Sequence, residues 1–188
     1  AISAAIGSLK GPKHGGANIS VIKMIEDLKS NVKDTKNLSE IDDYLRKVLR
    51  KEANDKTGLV YGMGHAIYTL SDPRAMILKK MARRLAETLS LIDDYMICEH
   101  IERRTPSLYE EINGISKPMC ANVDLYSGFV YSALNIPQDI ATPLFALARL
   151  SGWAAHRIEE LVAGNKLIRP AYLSVEEHKE FVPIKKRK

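Results

Sequence analysis

Cysteine is nearly absent from this 188-residue chain: Cys98 and Cys120 stand alone, in no CxxC pair and at no Cys/His metal spacing. That argues against a disulfide-framed secreted domain and for two buried thiols in a reducing cytoplasm. Aromatic residues make up only 6% of the sequence. They are not interleaved with a basic face, so nucleic-acid binding is not expected. No apolar run approaches the roughly 18 residues that cross a bilayer, so no membrane span is expected. The opening AISAAIGSLKGPKHGG has no basic lead and runs straight into a Gly-rich loop, unlike a secretory signal. The net charge of +5 is concentrated at one end, because Lys185–Lys188 supplies +4 and leaves +1 for the rest. A basic tail of this kind is a solvated end. β-Propensity gathers only in the short extended stretch Ile168–Leu173.

What the chain has in quantity is helical periodicity, and the expected class is all-α. Residues 2–9 read as the end of a helix that Gly11-Pro12 breaks. A second helix runs from about Asn18 to Leu28. A third starts near Ser39, where Ser-Glu-Ile-Asp suggests a cap, and carries Ile41, Tyr44, Leu45, Val48 and Leu49 on one face. Pro73 opens a fourth. Others cover roughly Asp93–Ile112 and Val123–Leu134, and Pro137 opens a long one that Gly164 ends. In that last helix Ile140, Leu144, Leu147, Ala154, Ile158 and Leu161 form one apolar stripe. Arg149 lies on another face, where its guanidinium reaches water, pairs with an acid, or meets an anionic ligand.

Three segments stand apart from this background. In Leu9–Asn18, His14 lies between Gly-Pro and Gly-Gly, ahead of a helix. An imidazole there tends to stay neutral and suits a hydrogen-bond donor. In Gly62–Arg74, His65 follows a Gly-rich turn and Arg74 falls in the first turn of a helix capped by Asp72. An arginine so placed can grip a carboxylate through two parallel hydrogen bonds. In Ala121–Gly128, Asp124 falls in a first helical turn. It can simply complement the helix dipole, or serve as a base if apolar surroundings lift its proton affinity.

Taken in order, His14 in GPKHGGAN, His65 in GMGHAIYTLSDPR, Asp124 in NVDLYSG, FALARLSGWAAH at 145–156 and IRP at 168–170 resemble the citrate synthase family up to about Tyr172. The resemblance implies an all-helical homodimer, associated through a large domain, with the active site in the cleft between large and small domains. It assigns 17–139 to the small domain and 1–16 and 140–188 to the large one. It implies catalytic roles for Asp124 as base, His14 as enolate stabiliser and His65 as donor to the oxaloacetate carbonyl. Arg74, Arg149 and Arg169 would bind oxaloacetate carboxylates, Arg169 in the partner subunit's site. Gly62, Met63 and Gly64 would wrap the CoA adenine, with Lys117 as a CoA-side cation. Acetyl-CoA and oxaloacetate would be substrates, with no metal and no permanently bound cofactor.

Two departures accompany the resemblance. Many members have Arg directly after the second catalytic His, and here the residue is Ala66. Full members are also roughly twice as long, and their N-terminal half carries another oxaloacetate-binding His. The 188 residues alone are therefore expected to form little citrate. A propionyl-CoA-using 2-methylcitrate synthase remains a rival, since one methylene in a pocket discriminates by only about 1–3 kcal/mol. So does a non-catalytic module that binds CoA or assembles with a partner.

Overall fold

The computed structural model describes residues 2–9, 16–164 and 180–187, and every regular element among them is helical. The order is α1 (Ile2–Ser8), α2 (Ala17–Asn31), α3 (Leu38–Leu49), α4 (Pro73–Thr88), α5 (Ile92–Asn113), α6 (Val123–Ala133) and α7 (Ala141–Ala163). The extended stretch expected at 168–173 lies outside the described residues.

The chain divides into two compact units, 1–150 and 151–188. The first holds the core. α3 shows why: its buried residues Ile41, Tyr44, Leu45 and Val48 recur at helical spacing and form one stripe. They join Val21, Met24 and Leu28 of α2, Ile97, Ile101 and Leu108 of α5, and Leu125, Tyr126 and Phe129 of α6. Each wholly buried leucine or isoleucine contributes about 2 kcal/mol by leaving water. α4 packs chiefly on α6, and its buried residues are all alanines, Ala75, Ala82 and Ala86. α2 and α6 also approach closely. A Cβ at Gly128 would stand only 3.0 Å from Val21 Cγ1 and 3.3 Å from the Asn18 carbonyl. In the second unit none of the described residues is buried.

The caps and thiols correct several expectations. α3 is capped by Asn37, whose side chain accepts from Ser39 N, and not by Ser39. Pro137 does not open α7 directly: a 3₁₀ turn, Gln138–Ile140, comes first. Cys98 is buried, and burial pushes its thiol up to about 12. Cys120 is only half-buried, with Sγ donating to the Tyr68 carbonyl at 3.4 Å. The apolar stripe of α7 is largely uncovered, with Leu147 66% and Ile158 61% exposed and Ala141 the helix's buried residue.

Two polar ties join α3 to α5: Arg46 donates to Glu111, and a more buried one centres on Asp42. His100, 4% exposed, meets Asp42 Oδ1 through Nε2 at 2.8 Å, and Arg104 donates to Asp42 Oδ2 from Nε at 2.9 Å and Nη2 at 2.7 Å. Burial opposes ionisation of Asp42, but the hydrogen bonds from Arg104 and His100 outweigh it and hold the carboxyl below its ordinary range. Removing one member leaves buried donors unmatched. Asp42→Ala is expected to cost about 3 kcal/mol at neutral pH, read from urea unfolding. The deficit should shrink in acid, because a depressed carboxyl stabilises above its unfolded pKa and loses that contribution as pH falls through the folded one. An unchanged urea midpoint would show that the tie is solvated and idle.

Candidate active site

Two loop–helix junctions, far apart in sequence, are stitched side by side. Met63 and Ala121 form an isolated antiparallel bridge. Gly64 N donates to the Cys120 carbonyl at 2.8 Å, and Asn122 N to the Gly62 carbonyl at 2.9 Å. The first junction depends on glycine for two reasons. Gly62 and Gly64 have φ of +85° and +86°, which other residues rarely adopt. A Cβ on Gly62 would also lie 2.7 Å from Leu125 Cβ, on the helix being joined.

The second junction starts α6. Asn122 accepts from Asp124 N at 2.9 Å, an N-cap that sets Asp124 in the first turn. The same side chain donates from Nδ2 to the Gly64 carbonyl at 2.8 Å.

His65 follows directly. Its Nδ1 accepts from the amides of Ile67 at 3.0 Å and Tyr68 at 3.1 Å. An imidazole nitrogen that accepts two N–H groups carries no proton, so the neutral ring's proton is on Nε2. Nε2 lies 3.2 Å from Arg74 Nη2. Arg74 is in turn gripped by Asp72, which accepts from Nε at 3.0 Å and Nη2 at 2.8 Å. Asp72 also caps α4 and is 1% exposed. The Arg74 hydrogen bonds hold its carboxyl below the ordinary range despite that burial. Tyr68 backs the arrangement: its ring is 4.9 Å from the imidazole and 5.8 Å from the guanidinium carbon. His65 Nε2 and the Arg74 guanidinium thus stand 3.2 Å apart; because a guanidinium only donates, an Nε2–H cannot bond to it and is left for another acceptor such as a substrate oxygen.

Asp124 lies in the field of the same groups. Burial pushes its carboxyl above the ordinary range, Asp72 adds to that, and Arg74 and His65 oppose it. A half-buried carboxylate with raised proton affinity can accept a proton from a weak carbon acid.

Next to His65 opens a cavity of about 300 Å³ lined by Gly62, Met63, Gly64, Tyr61, Tyr109 and Lys117 among others. Lys117 Nζ stands 6.0 Å from the Tyr109 ring centroid. A larger cavity, about 610 Å³, lies among α2, α3 and the turns that flank α3. Three of its four acids are already engaged: Asp27 by Tyr44, Glu40 by the amides of Lys33 and Asp34, Asp43 by Arg46.

The structure thus gathers His65, Arg74 and Asp124, and groups Gly62–Gly64 with Lys117 around one cavity. Arg149 lies exposed on α7, and among the described residues no hydrogen bond or ion pair links it to this cluster. His14 and Arg169 lie outside the described residues. Sequence reasoning gave Asp72 only a capping role and passed over Asn122, although Asn before the first turn of a helix is a cap signal.

Because the carboxyl of Asp124 is raised in the folded chain, its contribution to stability is fully present below the unfolded pKa and is lost as pH rises through the folded one. Asp124→Asn should therefore raise the urea midpoint at pH 7, by about 1 kcal/mol in stability. The gain should vanish in acid, where the native carboxyl is protonated. A loss of stability at pH 7 would show that Arg74 dominates the site's electrostatics.

Comparison with known proteins follows the same geometry. The family model "Citrate synthase, C-terminal domain" matches residues 1–171. The chain is 37% identical to a Synechocystis citrate synthase over 99% of its own length and 43% of that protein's. It is 38% identical to citrate synthase 2 of Bacillus subtilis, over 99% of its length and 45% of the relative's. Among solved structures, the Thermoplasma acidophilum citrate synthase, a ternary complex with carboxymethyl coenzyme A and oxaloacetate, superposes with TM-score 0.68 at 30% identity. That superposition covers 99% of this chain and 46% of that one. The chain spans under half the length of these relatives. By family match, by identity and by the helical architecture that carries His65 and Asp124, the chain belongs to the citrate synthase family.

Proposed function

We propose that this chain supplies the acid–base centre and the acyl-CoA side of a citrate synthase, condensing acetyl-CoA with oxaloacetate to give citrate and CoA. The observation that carries the reading is the placement of His65 Nε2 3.2 Å from the Arg74 guanidinium, in the field of a carboxylate of raised proton affinity. Asp124 takes a proton from the acetyl methyl group, and His14 stabilises the enolate oxygen that forms. The methylene carbon then attacks the oxaloacetate carbonyl. His65 polarises that carbonyl and gives its Nε2 proton to the new alkoxide. Water cleaves the thioester, releasing citrate and CoA.

The donors matter because a methyl beside a thioester is a very weak acid. A carboxylate can deprotonate it only if the developing oxyanion meets a preorganised donor. Arg74, Arg149 and Arg169 bind the oxaloacetate carboxylates, and the cavity beside Gly62–Gly64 and Lys117 takes the CoA. Support for this substrate pair comes from the ligands of the Thermoplasma structure and from the neutral tautomer that the hydrogen bonds to His65 favour. The 17–139 segment is the small domain of this reading. The whole enzyme is a cytoplasmic homodimer joined through the large domain.

In the complete protein, Asp124→Asn should lower exchange of acetyl-CoA methyl protons by about 10³-fold, since an amide cannot accept the proton. His65→Ala should spare much of that exchange and depress condensation. Near-normal exchange by the Asp124 variant would remove it from the base role.

The 188 residues by themselves should behave differently. The uncovered stripe of α7 must be buried against something, so the purified chain is expected to self-associate in sedimentation. It should form little citrate, because reacting groups need a closed cleft to hold them in place. A strictly monomeric chain with turnover comparable to a full-length relative would overturn both expectations.

A further inference from the structure

Gly64 occupies a conformation that leaves its peptide link to His65 poorly determined by its own chain. Its φ is +86°, and an added Cβ would meet nothing within 4 Å, so no close packing constrains that side of the residue. The backbone bond from Gly64 N to Cys120 fixes one side of the residue, and its carbonyl is held by the Asn122 side chain. A glycine carbonyl without a partner can turn at little steric cost. Turning it would redirect the imidazole that follows.

We propose that Asn122 is a positioning residue that locks the Gly64–His65 peptide to the first turn of α6, so that one amide side chain sets His65 and Asp124 against each other. Its two ends do different work. Nδ2 donates to the Gly64 carbonyl at 2.8 Å, immediately before His65, and Oδ1 accepts from Asp124 N at 2.9 Å. Only an amide of this length offers a donor and an acceptor in those two directions at once. A serine keeps the cap but does not reach Gly64. An aspartate keeps the cap but turns an acceptor toward a carbonyl. The proposal rests on the roles given above to His65 and Asp124, which are the groups being aligned.

The experiment separates clamp from cap. Asn122→Ser and Asn122→Asp should both unfold cooperatively, because serine and aspartate cap helices about as well as asparagine. Yet in both, nitrogen NMR should show His65 losing its single Nε2–H tautomer. The Gly64 amide, whose own bond is to the Cys120 carbonyl, should exchange with solvent about tenfold faster, because the seam around it loses the tie from Asn122. In Asn122→Ser, which adds no charge, Asp124 should also titrate closer to an ordinary carboxylate. Asn37→Ala removes the cap of α3, away from the site, and should move none of these signals.

Independently of any variant, the Asn122 side-chain amide of the unaltered chain should exchange slowly. Wild-type His65 and Asp124 signals in Asn122→Ser, equal changes in Asn37→Ala, or a rapidly exchanging Asn122 amide would each overturn the clamp. None of these readouts requires turnover. Absence of methyl-proton exchange in the complete protein would sink the roles of His65 and Asp124, while the clamp would still be decided by the spectra.

Discussion

The meeting of His65 with the start of α6, where Asp124 lies, depends on a short stretch of antiparallel backbone among helices. The bridge between Met63 and Ala121 joins segments with two helices between them in sequence. The backbone bonds to Cys120 and Gly62 finish a seam with a loop's end on one side and a helix's start on the other. A helix alone could not bring a histidine and a carboxylate together in this way, because its side chains are spaced by turns along one rod. The seam converts two loosely constrained termini into one rigid junction. Its cost is conformational: glycine at 62 and 64, one of them also demanded by the closeness of Leu125. The helical core explains why the seam holds. α4 and α6, which carry Arg74 and Asp124, are pinned to α5 by Glu102, which accepts from Lys79 at 2.7 Å and from the Tyr126 hydroxyl.

The electrostatics follow from the same placement. Asp72 and Asp124 are both helix N-terminal carboxylates, yet they are driven in opposite directions. Asp72 accepts two hydrogen bonds from a guanidinium and stays ionised although buried. Among the described residues the Asp124 carboxyl accepts no hydrogen bond and is dominated by burial. One fold thus makes a permanent anion that orients an arginine and a carboxylate ready to take a proton. Pairs of acids pushed apart in this way are what acid–base chemistry near neutral pH requires.

Much of this was legible in the sequence, and unevenly so. The helices were readable where apolar spacing was clean, as in α3, whose stripe at Ile41, Tyr44, Leu45 and Val48 is the one buried. Their ends were less so. Asn37 and Ser39 are both capping types, and only the local fold chooses between them. Pro137 suits a helical first turn, but a single 3₁₀ turn intervenes before α7. The site was legible through ordered motifs and not through periodicity. His65 and Arg74 are nine residues apart and meet because the loop doubles back, held by amides folding onto Nδ1 and by Asp72. No spacing rule predicts that return, and none predicts the bond between Asn122 and Gly64, which are 58 residues apart.

The structure also separates what is local in the chemistry from what is shared. The tautomer of His65, the orientation of Arg74 and the proton affinity of Asp124 all arise from contacts within residues 62–126 of one compact unit. These properties need no second wall. Gripping a dianion and excluding water are different tasks: they need cations from several directions and a surface that closes. Arg149 projects from an exposed stretch of α7, and the apolar residues around the same helix stand in solvent. A helix this apolar has a face that the described residues leave unburied. The chain spans 43–46% of the length of these relatives. The electrostatic tuning is thus built within residues 62–126, whereas the described residues leave the α7 face around Arg149 open.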